Sequence, residues 1–146
     1  MNQYQTNRAA LISYLDSQGW HYSVRKDNDS NYIARIGFSI GNRLKSIEVF
    51  VTADASSIQS IAVSPINANC DDYAKVIEYI TRANYGLKVG NFEFDYRDGE
   101  IRYQACLTSY EGQPNPNNIE LVVDVPYHMF KKYGDGLVKA LMGFGD

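Results

Sequence analysis

The chain has 146 residues, a formal net charge of −3 and a pI of about 5.3, and hydrophobic residues make up 45% of it. These values predict one compact domain over residues 1–146 with a real hydrophobic core, and they exclude a disordered chain. The acidic balance argues against a nucleic-acid partner, and no apolar run approaches the length of a membrane span, so no membrane is expected either.

The N-terminal segment has the periodicity of a helix. Leu11 and Leu15 recur at helical spacing, which predicts a helix over residues 5–18. Gly19 suits the left-handed position just past a helix end, where Trp20 would pack back on Leu15. We therefore expect this tryptophan to serve packing.

The apolar period then changes to two, which predicts strands. Trp20, Tyr22 and Val24 alternate with polar residues, and a longer strand follows whose apolar face consists of Tyr32, Ala34, Ile36, Phe38 and Ile40. Gly41-Asn42 predicts a two-residue hairpin loop. That loop would pair Ile36 with Ile47, Ala34 with Val49 and Tyr32 with Val51. A further strand is expected over residues 58–63.

The clearest helix is predicted over residues 70–85. Asn69 suits its N-cap, and Asp71 and Asp72 lie in the first turn near the positive end of the helix dipole. Gly86 should end it. One apolar stripe follows from the positions of Tyr73, Val76, Ile77, Ile80 and Ala83.

A second hairpin is predicted within residues 84–107, NYGLKVGNFEFDYRDGEIRYQACL. Phe92, Phe94 and Tyr96 would point to the core. Asp98-Gly99 predicts a two-residue type I′ turn, which needs positive φ at both central residues. That turn would place Tyr96 opposite Ile101, Asp95 opposite Arg102 and Phe94 opposite Tyr103.

The C-terminal part is predicted as several short helical segments after a polar connector at residues 111–118. Asn117 with Glu120 resembles a capping box. Pro126 should interrupt the helix or start a second one, and Gly134 with Gly136 should break it again. The apolar positions of these segments are Tyr127, Phe130, Tyr133, Leu137, Val138, Leu141 and Met142.

No metal site is recognisable in the sequence. Residues 27–31 imitate the start of an EF-hand loop, but Tyr32 stands where a glycine is needed and Phe38 where a bidentate glutamate is needed. A polar turn is the better interpretation. His21 and His128 have no cysteine or histidine at zinc-finger spacing.

The two cysteines leave thiol chemistry as an alternative. A dyad of Cys106 with His128 is open, although Cys106 lies on a predicted strand, and Cys70 starts a helix, where a thiolate is stabilised. A small secreted domain would carry more cysteines, in paired frameworks, and the N-terminus lacks an export signal. The expected compartment is therefore a reducing cytosol, and no cofactor or enzymatic activity is expected.

The element order and the segment ITRANYGLKVGNFEFDYRDGEIRYQACL resemble the YbjN-like family, described as candidate bacterial sensory-transduction regulators with a fold related to type III secretion chaperones. The resemblance is sharpest at Asn84, Gly90, Phe92, Asp95, Gly99 and Glu100, with Gly19-Trp20. It implies an α+β fold, α-β(3–4)-α-β(2)-α, in which a twisted antiparallel sheet carries helices on one face. It implies no agreed activity; the secretion chaperones often pair as homodimers and hold extended segments of client proteins.

The leading hypothesis is a non-enzymatic protein-binding domain, chaperone-like or regulatory, with an unidentified client or regulatory partner. The alternatives are a small-ligand sensor and, third, a cysteine-dependent enzyme or redox protein. Tyr127, Phe130 and Tyr133 are the candidate contact residues for protein or ligand. A homodimer is also expected, because the predicted strands carry few residues that would keep an edge from pairing with another chain. Lys45 is the main candidate for such protection. The segment Tyr127–Phe144 would either supply a self-complementary patch or cap the monomer's own sheet.

Overall fold

The structure is a computed structural model that describes residues 1–143. Within these residues the elements are α1 (Gln3–Gln18), β1 (Ser23–Asp27), β2 (Tyr32–Ser39), β3 (Ser46–Ala53), β4 (Ser57–Val63), a 3₁₀ turn (Cys70–Asp72), α2 (Tyr73–Asn84), β5 (Asn91–Phe94), β6 (Ile101–Thr108) and α3 (Pro116–Leu141). The described strands form one antiparallel sheet in the order β1-β2-β3-β4-β6-β5. The helices pack on one face of it, which confirms the predicted two-layer α+β class and element order.

Alternation along the strands produces the buried layer between sheet and helices. Every second residue of β2, β3, β4 and β6 faces the helices, as Ala34, Val49, Ile58 and Tyr103 do at 0% exposure. From the other side, α3 inserts Phe130, which is also fully buried. Burying one such side chain contributes roughly 1.5–3 kcal/mol before the entropy of ordering the chain is subtracted.

Helix α1 begins two residues earlier than predicted because Asn2 caps it. The Asn2 side chain accepts a hydrogen bond from the Gln5 N–H at 2.8 Å, and the Gln5 side chain accepts one from the Asn2 N–H at 2.9 Å. Gly19 ends the helix with φ of 70°, as predicted. Trp20 packs edge-on against Phe38, with ring centroids 5.1 Å apart.

Asn7 is a buried polar side chain that ties α1 to two loops. Its amide nitrogen donates to the carbonyl oxygens of Asp54 and Ser109, both at 2.9 Å. Its amide oxygen accepts from the Ser109 hydroxyl at 2.7 Å and from the Gln3 side chain at 2.9 Å. Because both ends of the amide are satisfied, burial of Asn7 fixes where α1 lies across the sheet.

The β2–β3 loop is two residues longer than predicted. Ile36 pairs with Val49, Ala34 with Val51 and Tyr32 with Ala53, so the predicted register was wrong. The shift is an even number of residues, so the same side chains still face the core.

Contacts with α3 explain the longer loop. The loop closes with a hydrogen bond from the Ile40 N–H to the Lys45 carbonyl at 2.9 Å, and Leu44 within it is only 3% exposed. The Asn42 side chain donates to the carbonyls of Phe130 and Lys131 at 3.0 and 3.1 Å. A two-residue turn could not provide both contacts.

The β5–β6 loop is likewise two residues longer than predicted. Phe94 pairs with Ile101 and Phe92 with Tyr103, and the Gly99 N–H donates to the Asp95 carbonyl at 2.8 Å. Gly99 has a φ of 77°, whereas Asp98 does not lie in the left-handed region, so the type I′ turn was also wrong. Tyr96, expected in the core, is 69% exposed because it belongs to this loop.

The prediction of separate C-terminal helical segments was wrong, since α3 is one helix of 26 residues with Pro126 inside it. Its N-cap is Asn115, whose side chain accepts from the Asn117 N–H at 2.8 Å, so Asn117 is not the cap. A Cβ at Gly134 would lie 2.3 Å from the Asn42 side chain, so this glycine admits the β2–β3 loop and does not end the helix. The predicted helix over 70–85 begins as the 3₁₀ turn instead, and Asn69 makes no side-chain capping bond.

Both edge strands carry protection that the sequence analysis did not find. Every residue of β1 is exposed, Val24 included, and the strand has a bulge between Val24 and Lys26. β5 is only four residues long. Lys45 lies in the β2–β3 loop, so it protects no edge. Short, bulged or charged edges resist pairing with another chain, which removes the edge-strand argument for a homodimer.

The segment Tyr127–Phe144, predicted either to form a self-complementary patch or to cap the sheet, ends at Phe144, which lies outside the described residues.

We expect Gly99→Val to destabilise the domain by about 2–4 kcal/mol. A Cβ here would lie 2.2 Å from the Ala68 carbonyl oxygen, and an L-residue at this φ adds strain. Urea denaturation monitored by circular dichroism measures the change. Gly112→Ala is the control, because its φ is 80° but nothing lies within 4 Å of its Cβ, so it should lose only about 1 kcal/mol. Equal losses in the two variants would contradict the close approach.

Hydrogen bonds from the Arg97 guanidinium lower the pKa of Asp95 to about 2. Because the pKa is lower in the folded state, this stabilisation is present above about pH 4 and is lost as the pH falls towards 2. Arg97→Gln should raise the pKa of Asp95 towards its ordinary value, measured by NMR titration of the carboxyl carbon. Arg25→Gln, on the opposite edge strand, should leave it unchanged. A wild-type pKa near 4 would refute the interaction.

Candidate functional site

An open cleft with a volume of about 690 Å³ lies between α2 and α3 on the helical layer. We call it the α2–α3 cleft. Its charged lining consists of Arg43, Lys75, Glu78, Arg82 and Lys139. Its remaining lining consists of Tyr79, Ala83, Tyr133, Gly136 and Ala140. The β2–β3 loop brings Arg43 to this site, so three separate parts of the chain build it.

The cleft is basic although the whole chain is acidic. Four basic side chains line it against one carboxylate, while the chain carries a net charge of −3. Arg82 is paired with Glu78 at 2.8 Å. Among the described residues, no carboxylate forms a salt bridge with Arg43, Lys75 or Lys139. Within residues 1–143, three positive charges in the cleft are therefore not paired with a carboxylate.

Two tyrosines form an aromatic wall in the cleft. The Tyr79 hydroxyl donates to the Tyr133 carbonyl at 2.9 Å, and the two rings meet edge-on at 6.2 Å between centroids. A Cβ at Gly136 would lie 2.2 Å from the Tyr79 hydroxyl. Gly136 thus lets α2 approach α3 closely, which is why the predicted helix break at this glycine does not occur.

Asn84 holds the end of α2 against the sheet. Its side chain accepts from the Phe92 N–H at 2.7 Å and donates to the Phe92 carbonyl at 3.0 Å. These two bonds occupy the outward backbone groups of Phe92 on edge strand β5. Asn84 therefore both protects this edge and positions the α2 wall of the cleft.

The opposite face of the sheet carries no helix of the described chain, and we call it the open sheet face. Its apolar residues are Ile33 on β2, Phe50 on β3, and Ile61 and Val63 on β4, all half-buried. Phe50 pairs directly with Ile61 across the strands. Since Val63 is two residues from Ile61 and Ile33 is diagonal to Phe50, the four side chains are contiguous.

Charges on the open sheet face are paired with each other. Arg35 contacts Glu48, and Arg102 contacts Glu93 at 2.7 Å. These partly exposed pairs contribute roughly 0–1 kcal/mol each. Their main consequence is that the apolar patch is bordered by polar groups whose charges already cancel.

The structure does not bring the three candidate contact residues together at one site. Phe130 is fully buried in the core against Phe92. Tyr127 is half-buried beside Phe38, with ring centroids 5.5 Å apart, and does not line the cleft. Tyr133 is the one that lines the α2–α3 cleft.

The cysteines are free and exposed. Cys106 lies on the open sheet face, whereas His128 lies on α3 on the other side of the sheet, so the structure does not form the dyad that the sequence left open. Cys70 lies in the 3₁₀ turn before α2. Within residues 1–143, no three His, Cys, Asp or Glu side chains cluster closely enough to hold a metal ion. Residues 28–31 form a turn in which the Asn28 side chain accepts from the Ser30 and Asn31 N–H groups, as expected for a polar turn.

No protein-family model matches the chain, and no curated protein matches its sequence. Membership of the YbjN-like family therefore stays a prediction. None of the helices in the described part of the chain is both long enough and apolar enough to cross a bilayer.

Part of the cleft had a signal in the sequence that was missed. Lys75, Glu78, Tyr79 and Arg82 have helical spacings of three, four and seven, which place them on one face of α2. Arg43 and Lys139 are remote in sequence from that face and from each other. Their contribution follows from the docking of the β2–β3 loop and α3.

We expect Asn84→Ala to destabilise the domain by about 1–2 kcal/mol, because it removes both bonds to Phe92. Urea denaturation measures the loss, and exchange of the Phe92 amide hydrogen should become faster. Asn67→Ala is the control, since its exposed amide makes a single bond of 3.3 Å to the Asp98 carbonyl. Unchanged exchange at Phe92 would show that Asn84 does not protect this edge.

Proposed function

We propose that this chain is a non-enzymatic protein-binding domain that holds an extended, mostly uncharged segment of a partner protein on its open sheet face. The observation that carries the proposal is the contiguous patch of Ile33, Phe50, Ile61 and Val63 on a face without helices. Exposed apolar patches bordered by polar residues mark surfaces that other molecules cover.

The edges of the sheet favour binding across its face. A partner strand could add to a sheet only at an exposed edge. Here β1 is bulged, and Asn84 occupies the outward groups of Phe92 on β5. Side-chain contacts on the open sheet face would therefore supply the affinity.

Charge pairing sets the chemistry of the partner segment. The charges of Arg35, Glu48, Glu93 and Arg102 already cancel in pairs, so a strongly charged segment gains little from them. An apolar, weakly charged segment gains by covering Phe50 and Ile61. Beside this patch, a shallow depression of about 480 Å³ includes Gly37, where a Cβ would have no other atom within 4 Å, so a partner side chain has room to enter.

The family resemblance supports the same function. The secretion chaperones to which the YbjN-like family is related hold extended client segments along their surfaces. Whether the role is chaperone-like or regulatory depends on which partner the domain holds. We also propose a cytosolic location. A symmetric homodimer through the C-terminal segment also stays a prediction, now without support from the sheet edges.

We expect the domain to suppress aggregation of a chemically denatured test protein after dilution, measured by light scattering. Phe50→Glu with Ile61→Glu should abolish the suppression, because two carboxylates would replace the centre of the patch. Tyr110→Glu is the matched control, since Tyr110 is 72% exposed and follows β6 outside this face. Suppression that survives the double substitution in a folded protein would refute the open sheet face as the binding surface, and so would an inactive wild-type domain.

A further inference from the structure

We infer that the α2–α3 cleft is a second binding site, for a small organic anion that joins a phosphate or carboxylate group to an apolar or aromatic body. This site lies on the helical layer, on the opposite side of the sheet from the open sheet face. It is therefore independent of the protein-binding function proposed above.

The charges of the cleft point to an anion. The chain has 14 basic side chains, and four of them line this one cleft. Since Glu78 compensates Arg82, the group available to a ligand is Arg43, Lys75 and Lys139. Gathering like charges in a concave site raises the local concentration of the opposite charge and costs energy until an anion binds.

Each of these three cations comes from a different element, so an anion would be held from several sides. The Arg43 backbone N–H donates to the Asp135 carboxylate of α3 at 2.8 Å, which anchors the base of the side chain and leaves its guanidinium unpaired within residues 1–143. The Lys75 ammonium donates to the Gly143 carbonyl, which is neutral, so its charge has no carboxylate partner among the described residues. Lys139 adds the third charge from α3.

The size and the walls of the cleft point to a small molecule with an apolar part. Its volume of about 690 Å³ lies within the range of small-molecule sites. Tyr79 and Tyr133 provide aromatic surface, and Ala83 and Ala140 provide aliphatic surface. A bare inorganic anion would leave this surface without a contact, whereas an aryl or acyl body would cover it.

Glu78 argues against a long acidic peptide as the occupant. Its carboxylate is part of the lining and is 61% exposed. A polyanion running along the cleft would gain little where Glu78 already neutralises Arg82, while a ligand with one anionic group can place that group at Arg43, Lys75 and Lys139.

Isothermal titration calorimetry at low salt tests the site with phenyl phosphate, benzoate, inorganic phosphate, phenol and an oligoglutamate peptide. We expect one molecule of phenyl phosphate or benzoate to bind per chain, more tightly than inorganic phosphate or phenol and more weakly as salt is added. Whichever of the two aryl anions binds more tightly shows whether the site prefers a phosphate or a carboxylate group. Failure of both aryl anions to bind with a Kd below about 10 mM would overturn the proposal. So would tighter binding of oligoglutamate, which would assign the cleft to an acidic protein segment.

Substitutions locate the binding. The double variant Arg43→Gln with Lys139→Gln should lower the affinity for the preferred aryl anion by about tenfold or more, because two charge-assisted contacts are lost. Neither side chain makes a side-chain hydrogen bond or ion pair within the described residues, and their loss relieves like-charge repulsion, so the thermal unfolding midpoint should not fall. Arg25→Gln with Lys131→Gln removes the same charge elsewhere and should leave affinity unchanged. An equal loss in both double variants would overturn the site, since it would show attraction to net charge alone.

Discussion

The packing of one ring, Phe92, joins the sheet to both walls of the α2–α3 cleft. It meets Tyr103 of β6, Phe130 of α3 and Tyr133 of α3 edge-on, with centroids 4.8, 5.4 and 5.8 Å away. Its backbone is held by Asn84 at the end of α2. Edge-to-face pairs are worth about 0.5–1.5 kcal/mol each beyond their area burial, so this one residue of a four-residue edge strand positions two helices.

The same one-sided packing produces both candidate surfaces. Because the helices cover a single face, the other face keeps Phe50 and Ile61 accessible to a partner. Because α2 and α3 both contact Phe92 on the covered face, they lie side by side, and the cleft lies between them. The two surfaces lie in different layers, so a ligand in one need not compete with a partner on the other.

The two hairpins show where short sequence patterns stop being informative. Gly41-Asn42 and Asp98-Gly99 each predicted the presence of a turn correctly and its length incorrectly, both times by two residues. Successive side chains of a strand point to opposite faces, so a shift by two residues leaves the same side chains facing the core. Loop length depended instead on contacts from afar: Asn42 with α3 in one case, and the approach of Gly99 to Ala68 in the other.

The sequence by itself determined the element order, the buried faces of β2, β3 and β6 and the apolar stripe of α2, since these follow from local periodicity. Tertiary structure decided the continuity of α3, because Gly134 and Gly136 admit Asn42 and Tyr79 where local propensity favours a break. It also decided the sites: Tyr133 joined a cleft, while Phe130 joined the core. A helical period identifies which residues share a face, but the charges of Arg43 and Lys139 meet those of α2 only because loop and helix pack there, and no local pattern encodes that contact.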